Sequence, residues 1–226
     1  MAQRRTEALS RARIIETAVE LLDADGERGL TFRALTERLA TGPGAIYWHV
    51  ANKGELLDAA TGAVVSAALR AGRAEPAGSP QDEVRAVALG LFDAIEGHPW
   101  LALQLSAQLS RGPSGSVTPK IFESFGRHVR DLGVPKGSWF TATSALVHYV
   151  LGAAGQNAAN ARVVHPGAGR GEFLDAVSTA WEALDAEEYP FARAVADEMR
   201  DHDDREQFLA GVDLILTGIG TVHAVE

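Results

Sequence analysis

Apolar residues recur along the chain at three- and four-residue spacing, and no run of strict apolar–polar alternation lies between turn signals. That spacing gathers side chains on one face of an α-helix and leaves no sheet to be built, so the pattern predicts an all-α chain. Ile14, Ile15, Ala18, Val19, Leu21 and Leu22 form the first stripe, with Ser10 as N-cap and Gly26 and Gly29 as its stop. Thr31 caps a short second helix whose inner side carries Phe32, Ala34, Leu35 and Leu39. Ala40-Thr41-Gly42-Pro43 is a tight break. Pro43 suits the first position of a third helix, through Gly44, Ala45, Ile46, Tyr47, Trp48 and His49, because an N–H there has no helical partner. Asn52-Lys53-Gly54-Glu55 has the form of a capping box opening a fourth helix that continues to Ala71.

Later stripes predict helices over 81–96, 100–109, 120–132, 139 to about 161, 173–184 and 204 to about 222. Gly- and Pro-rich breaks at 75–80, 97–99, 111–116, 133–135 and 165–171 separate them. No repeat at solenoid spacing is present. Two short helices across a four-residue break, flanked by longer ones, have the layout of a helix-turn-helix in a three-helix head. Tyr47, Trp48 and His49 put three rings on a helix too short to need them all for packing. The expected division is a DNA-binding head over 1–58 and a larger helical body over 59–226.

Composition narrows the function. With no cysteine among 226 residues, disulfides, thiolate nucleophiles and zinc–thiolate sites are excluded. No apolar run reaches the length of a membrane span, and the polar start lacks a signal-peptide core, so the expected compartment is the cytoplasm. The net charge of −9 seems unsuited to DNA, but residues 1–60 hold eight Lys and Arg against nine Asp and Glu. Nearly all of the excess acid therefore lies in the body, and DNA needs only a local cationic face. There is no nucleophile elbow, phosphate loop or His-Glu-x-x-His, and Gly167-Ala168-Gly169-Arg170-Gly171 lacks dinucleotide-loop spacing. No enzyme, cofactor or metal site is expected. Asp201-His202-Asp203-Asp204 reads as the N-cap region of the last helix.

The segment from Leu30 to Leu35, with Ile46-Tyr47-Trp48-His49-Val50-Ala51-Asn52-Lys53-Gly54-Glu55-Leu56-Leu57, closely resembles the DNA-binding head of the TetR family of transcriptional regulators. The resemblance covers about residues 10–58 and is nearest the tetracycline-repressor branch, whose last helix is similar to Phe208–Ile219. It implies a ligand-responsive homodimeric repressor that releases a palindromic double-stranded operator when a small-molecule effector binds. Pro43, Gly44 and Ala45, at the start of the recognition helix, are small and cannot donate, so they allow close approach or touch thymine methyls. Arg33 offers a fork to guanine or a contact to phosphate. Tyr47, Trp48 and His49 fit the phosphate backbone, and Thr31 and Lys53 add contacts at helix starts. Arg4, Arg5, Arg11 and Arg13 suggest a flexible arm along it.

In the body, the resemblance implies that segments 138–161 and 204–222 pair with their symmetry mates as a four-helix bundle. Phe208, Val212, Ile215 and Ile219 form an apolar stripe in need of a partner. Candidate effector contacts are His98, Trp100, Gln104, Gln108, Phe122, Phe125, Trp139, His148, Tyr149, Gln156 and Asn157. Tetracycline sensors hold a metal–drug chelate with a His and a Glu, and here the Glu position falls on Gln156. A neutral amide serves a hard cation poorly, so an organic ligand without metal is expected. The rival reading is a helical small-molecule-binding protein that has lost specific DNA binding. Salt-dependent retention on DNA separates the two.

Overall fold

The computed structural model describes residues 9–71, 78–110, 117–163, 169–200 and 202–223. Arg4, Arg5, the break at 111–116 and most of that at 165–171 lie outside them. Eleven α-helices follow in order among the described residues: α1 (Arg11–Gly29), α2 (Phe32–Leu39), α3 (Pro43–Tyr47), α4 (Lys53–Ala71), α5 (Pro80–Gly97), α6 (Leu101–Ser110), α7 (Thr118–Asp131), α8 (Trp139–Val163), α9 (Arg170–Glu182), α10 (Pro190–Ala194) and α11 (Asp204–His223). Short 3-10 turns cover Lys136–Ser138 and Asp197–Met199, and the described residues contain no strand.

Local chemistry sets these boundaries. The Ser10 hydroxyl accepts from the Arg13 amide at 3.2 Å, and Thr31 Oγ1 accepts from the Ala34 amide at 3.1 Å. Each satisfies an amide that the first turn leaves unpaired. Gly26, at φ 63, interrupts α1 before Gly29, as the glycine spacing predicts. Asn52 Oδ1 caps α4 through the Glu55 amide at 2.9 Å, but Glu55 Oε2 reaches back to the amide of Ala51 rather than Asn52. The recognition helix ends at Tyr47, short of the expected His49. Three pieces are not predicted by the sequence pattern, α10 and both 3-10 turns, because five and three residues are too few to show a period.

Ile14, Leu22, Leu35, Ile46, Val50 and Leu56 close the core of the head. Val84, Leu91, Ile95, Ile121, Phe125, Leu146 and Val150 fill the body, where α8 packs against α5, α6, α7 and α11. The helix α4 runs unbroken from one core into the other, packing on α1 and on α5. The 58/59 division therefore falls inside a rigid rod rather than in a linker. No described helix is long and apolar enough to cross a membrane.

The stripe of α11 is corrected by the structure. Phe208 and Val212 already have their partner within the chain, for both are buried and the Phe208 ring lies 4.7 Å from Phe92 and 5.9 Å from Tyr149. Ile215 and Ile219 are half-buried, while Leu214 and Val222 face outward. Gly211 is needed here because a Cβ would overlap the Tyr149 ring, whose hydroxyl donates to the Phe208 carbonyl at 3.1 Å. Burial pushes that phenol's pKa up. Gly211→Ala is expected to destabilise the chain by about 1–3 kcal/mol through overpacking. Thermal melting of Gly211→Ala with and without Tyr149→Ala checks this, since truncating the ring should recover most of the loss. Equal losses in both backgrounds would refute the steric cause.

Candidate nucleic-acid interface and head–body junction

The turn between α2 and α3 is fixed by Ala40 in the left-handed region (φ 49) and by Gly42 preceding Pro43. It leaves Pro43, Gly44 and Ala45 exposed at the start of α3 while Ile46 anchors the helix from beneath. Phe32 stacks on Tyr47 with centroids 4.5 Å apart, so α2 holds the recognition helix through its aromatic residue. Tyr47 nevertheless stays exposed, and Trp48 is 90% exposed. A tryptophan that spends almost none of its apolar surface on packing is available to a partner. His49 is half-buried, and its carbonyl accepts from Arg11 Nε at 3.3 Å.

The cations divide into committed and available ones. Arg33 is 88% exposed and gives its Nε to Glu37 at 2.9 Å, leaving the terminal amino groups of the fork without a partner among the described residues. Thr31 is exposed, with its hydroxyl used as a cap. Lys53 departs from expectation because its ammonium donates to the Glu27 carbonyl at 2.6 Å and ties α4 to the end of α1. Arg11 and Arg13 belong to α1 rather than to a loose arm. Arg11 holds Glu55, and Arg13 faces Glu16 and Glu20. The Glu55 carboxyl is held below its usual range by the Ala51 amide first and then by Arg11. Arg28, exposed three residues before Thr31, is a cation that the sequence reading passed over. Its neighbours Glu27 and Gly29 gave no signal to single it out.

The residues proposed for the effector do not converge. Four of them fasten the body to the head instead. Asp23 Oδ1 accepts from both His98 Nδ1 and Trp100 Nε1, each at 2.7 Å. Gln104 Nε2 reaches Glu27 at 3.2 Å, and Gln108 Nε2 reaches Asp58 at 3.1 Å. Trp100, Gln104 and Gln108 recur every four residues along one face at α6, and the acceptors lie on α1 and α4. Trp100, Gln104 and Gln108 are buried, whereas Asp23 and Glu27 are exposed, so each of these bonds to a carboxylate has one end in the protein and the other at its surface. Gln108 Oε1 is buried without a partner among the described residues.

The remaining candidates scatter. Phe125 is wholly inside the core. Trp139 donates to the Val134 carbonyl at 2.6 Å, and with Phe122 it lines a groove between α7 and α8. His148 and Gln156 are exposed, Gln156 bonding Asn160 at 2.9 Å. Tyr149 is the packing partner of Gly211. Asn157 alone lines two cavities of the body. At the start of α11, Asp203 accepts from the amides of Arg205 and Glu206, both at 2.9 Å, in keeping with its expected role as N-cap.

Two family models match the chain. Residues 14–60 match the one described as bacterial regulatory proteins, tetR family, and residues 73–223 the one described as tetracyclin repressor-like, C-terminal domain. An HTH-type transcriptional regulator of Saccharopolyspora erythraea is 31% identical over 144 residues, 64% of this chain and 59% of that protein. The chain thus spans less than two thirds of that relative. Among solved structures, the Streptomyces coelicolor transcriptional regulator SCO7222, a TetR, superposes with a TM-score of 0.87 at 67% identity, covering 95% of this chain and 99% of that one. The TetR family protein ActR of Streptomyces coelicolor, in complex with actinorhodin, gives 0.74 at 25% identity, covering 94% and 96%.

If Asp23 holds the junction, Asp23→Ala leaves two ring N–H groups without their acceptor and is expected to cost about 1–3 kcal/mol. Chemical denaturation of Asp23→Ala beside His98→Ala checks it, with the aspartate variant the weaker of the two. A loss no greater than that of His98→Ala would show that the Trp100 bond contributes nothing.

Proposed function

The chain belongs to the TetR family of bacterial regulators, and from that premise we propose that it is a homodimeric repressor. In this reading it holds a palindromic operator with its helix-turn-helix head and releases it when a small molecule enters the body. The observation that carries the reading is the tip of the head. Small exposed residues at the start of α3 sit beside Tyr47, stacked on Phe32 yet half open, and Trp48, which packing does not consume. Pro43, Gly44 and Ala45 admit the helix deep into a major groove, and Arg33 has a free fork to contribute. Tyr47, Trp48 and His49, with Thr31, then meet phosphates, and Lys53 acts mainly by bracing α4. Residues 1–58 read DNA and 59–226 sense and dimerise. The reading is of a cytoplasmic binding protein rather than a catalyst.

A second copy is supported by the outward faces of α8 and α11. Ala145, His148 and Gly152 on α8, and Ala210, Leu214 and Gly218 on α11, are exposed, and a Cβ at Gly152 or Gly218 would meet nothing within the chain. Small residues there allow helices to approach closely, and pairing would hold two recognition helices about one turn of DNA apart. ActR with actinorhodin supports an organic effector for this chain as well.

Fluorescence anisotropy against the DNA flanking the protein's own gene, at two salt concentrations, tests the reading. Saturable, sequence-selective and salt-sensitive binding is expected. Trp48→Ala should weaken it by about tenfold without changing the melting temperature, because the indole supports no packing. Tyr47→Ala plus Lys53→Ala should weaken it further, with some loss of stability from the lost brace on Glu27. Binding that ignored all three substitutions would remove this face from the interface.

A further inference from the structure

Two cavities adjoin on the body side of the Asp23 clasp. The smaller, about 180 Å³, lies between the end of α5 (Phe92, Glu96), Pro99 and the α8 residues Ala154, Asn157 and Ala158. The larger, about 270 Å³, lies between α8 and α9, against Asn160, Arg170, Phe173 and His202. Asn157 and Asp204 belong to the walls of both, so the two meet there. Together they reach the size of small-molecule sites, the smaller lined mainly by apolar side chains and the larger mainly by polar and charged ones.

The polar groups define the ligand. Arg170 is matched by Asp204, with Nε at 3.0 Å and Nη2 at 2.8 Å, and His202 Nε2 completes the carboxylate at 3.0 Å. Burial pushes the Asp204 carboxyl up, but Arg170 and His202 outweigh it and hold it below its usual range. A ligand anion would face this carboxylate and Glu96, while a ligand cation would face the guanidinium. Asn157 differs from its neighbours, for its amide makes no hydrogen bond among the described residues although it is half-buried at the junction of the cavities. It offers both a donor and an acceptor. Phe173 supplies a ring face for stacking, whereas the Phe92 ring is already packed on Phe208.

We infer that the joined cavities bind one uncharged, planar aromatic molecule carrying hydroxyl or ketone groups, hydrogen-bonded by Asn157, and that its presence reaches the head through Pro99. This rests on the reading of the body as effector domain and specifies where the effector sits, its chemical class and its route. Pro99 is a wall of the cavity and stands between His98 and Trp100, the two residues whose ring nitrogens end on the same oxygen of Asp23. Its ring fixes φ, so a displacement of Pro99 moves both neighbours rather than being absorbed locally. Two bonds sharing one acceptor oxygen are lost together, and α1 is freed from the body. The clasp is a discrete element that ligand and head both bias, as coupling between sites requires.

The test uses the full chain and two probes, neutral 1,8-dihydroxyanthraquinone and anionic anthraquinone-2-sulfonate, titrated by calorimetry. The neutral probe should bind saturably, one per chain, and about tenfold tighter than the sulfonate. Asn157→Leu, close in volume, should weaken it about tenfold while leaving the melting temperature in place. Amide exchange in residues 19–26 should quicken about threefold on saturation with the neutral probe. In Trp100→Phe, which lacks the indole donor, the probe should still bind and the quickening should vanish. Absence of saturable binding, tighter binding of the sulfonate, or indifference to Asn157→Leu would overturn the site. Unchanged exchange in α1 would overturn the route. Neither measurement involves DNA, so a failure to bind an operator would count against the repressor reading alone.

Discussion

The contact between the α6 face and the carboxylates of α1 and α4 governs the rest of the molecule. A three-helix head has a small core of its own, and nothing in Ile14, Leu35 and Ile46 fixes how that core is turned relative to the body. The shared helix α4 sets the distance, since it is a continuous rod. Rotation about that rod is restrained by the bonds from His98, Trp100, Gln104 and Gln108 to Asp23, Glu27 and Asp58. The buried indole and amide donors are costly to leave unpaired, even though their carboxylate partners reach the surface. The orientation of α3 relative to the body follows from it.

The same contact resolves the charge of the head. Nine acidic residues within the first sixty look unfavourable for a DNA-binding surface. Several are already paired within the chain. Asp23, Glu27 and Asp58 serve the junction, Glu16 and Glu20 lie beside Arg13 and Arg38, and Glu55 holds Arg11 and the Ala51 amide. Surface pairs of this kind add little stability, but each offsets a carboxylate with a cation or an amide of the head. The tip itself, from Gly42 to Ala45, carries no charge. Among the described residues of the head, the exposed cations Arg28 and Arg33 lie on either side of Thr31.

The body shows a comparable economy of small residues. Gly211 exists to let Tyr149 cross α11, whereas Gly152 and Gly218 meet nothing within the chain. One glycine serves the fold and the others an outward face. Sequence spacing alone treats all three alike.

Much of the fold was legible because its signals are local. Ser10, Thr31 and Asn52 cap helices through side chains acting three residues ahead, Pro43 opens α3, and the apolar periods name the buried positions of the head. The family resemblance was legible for the same reason, since its residues are contiguous. What the amino-acid order did not reveal was which polar side chains meet across the chain. His98, Trp100, Gln104 and Gln108 have the composition of a ligand site and became a fastening, because their acceptors lie on other helices 50 to 77 residues away in the chain. A lysine at a helix start suggests a phosphate contact, and only the packing shows that the Lys53 ammonium reaches a carbonyl of α1. The stripe of α11 was assigned to a second chain, yet Phe208 and Val212 are covered by the chain itself. Helical period decides that a face is buried, whereas the identity of what covers it is set by the packing of distant elements, and that belongs to the tertiary structure.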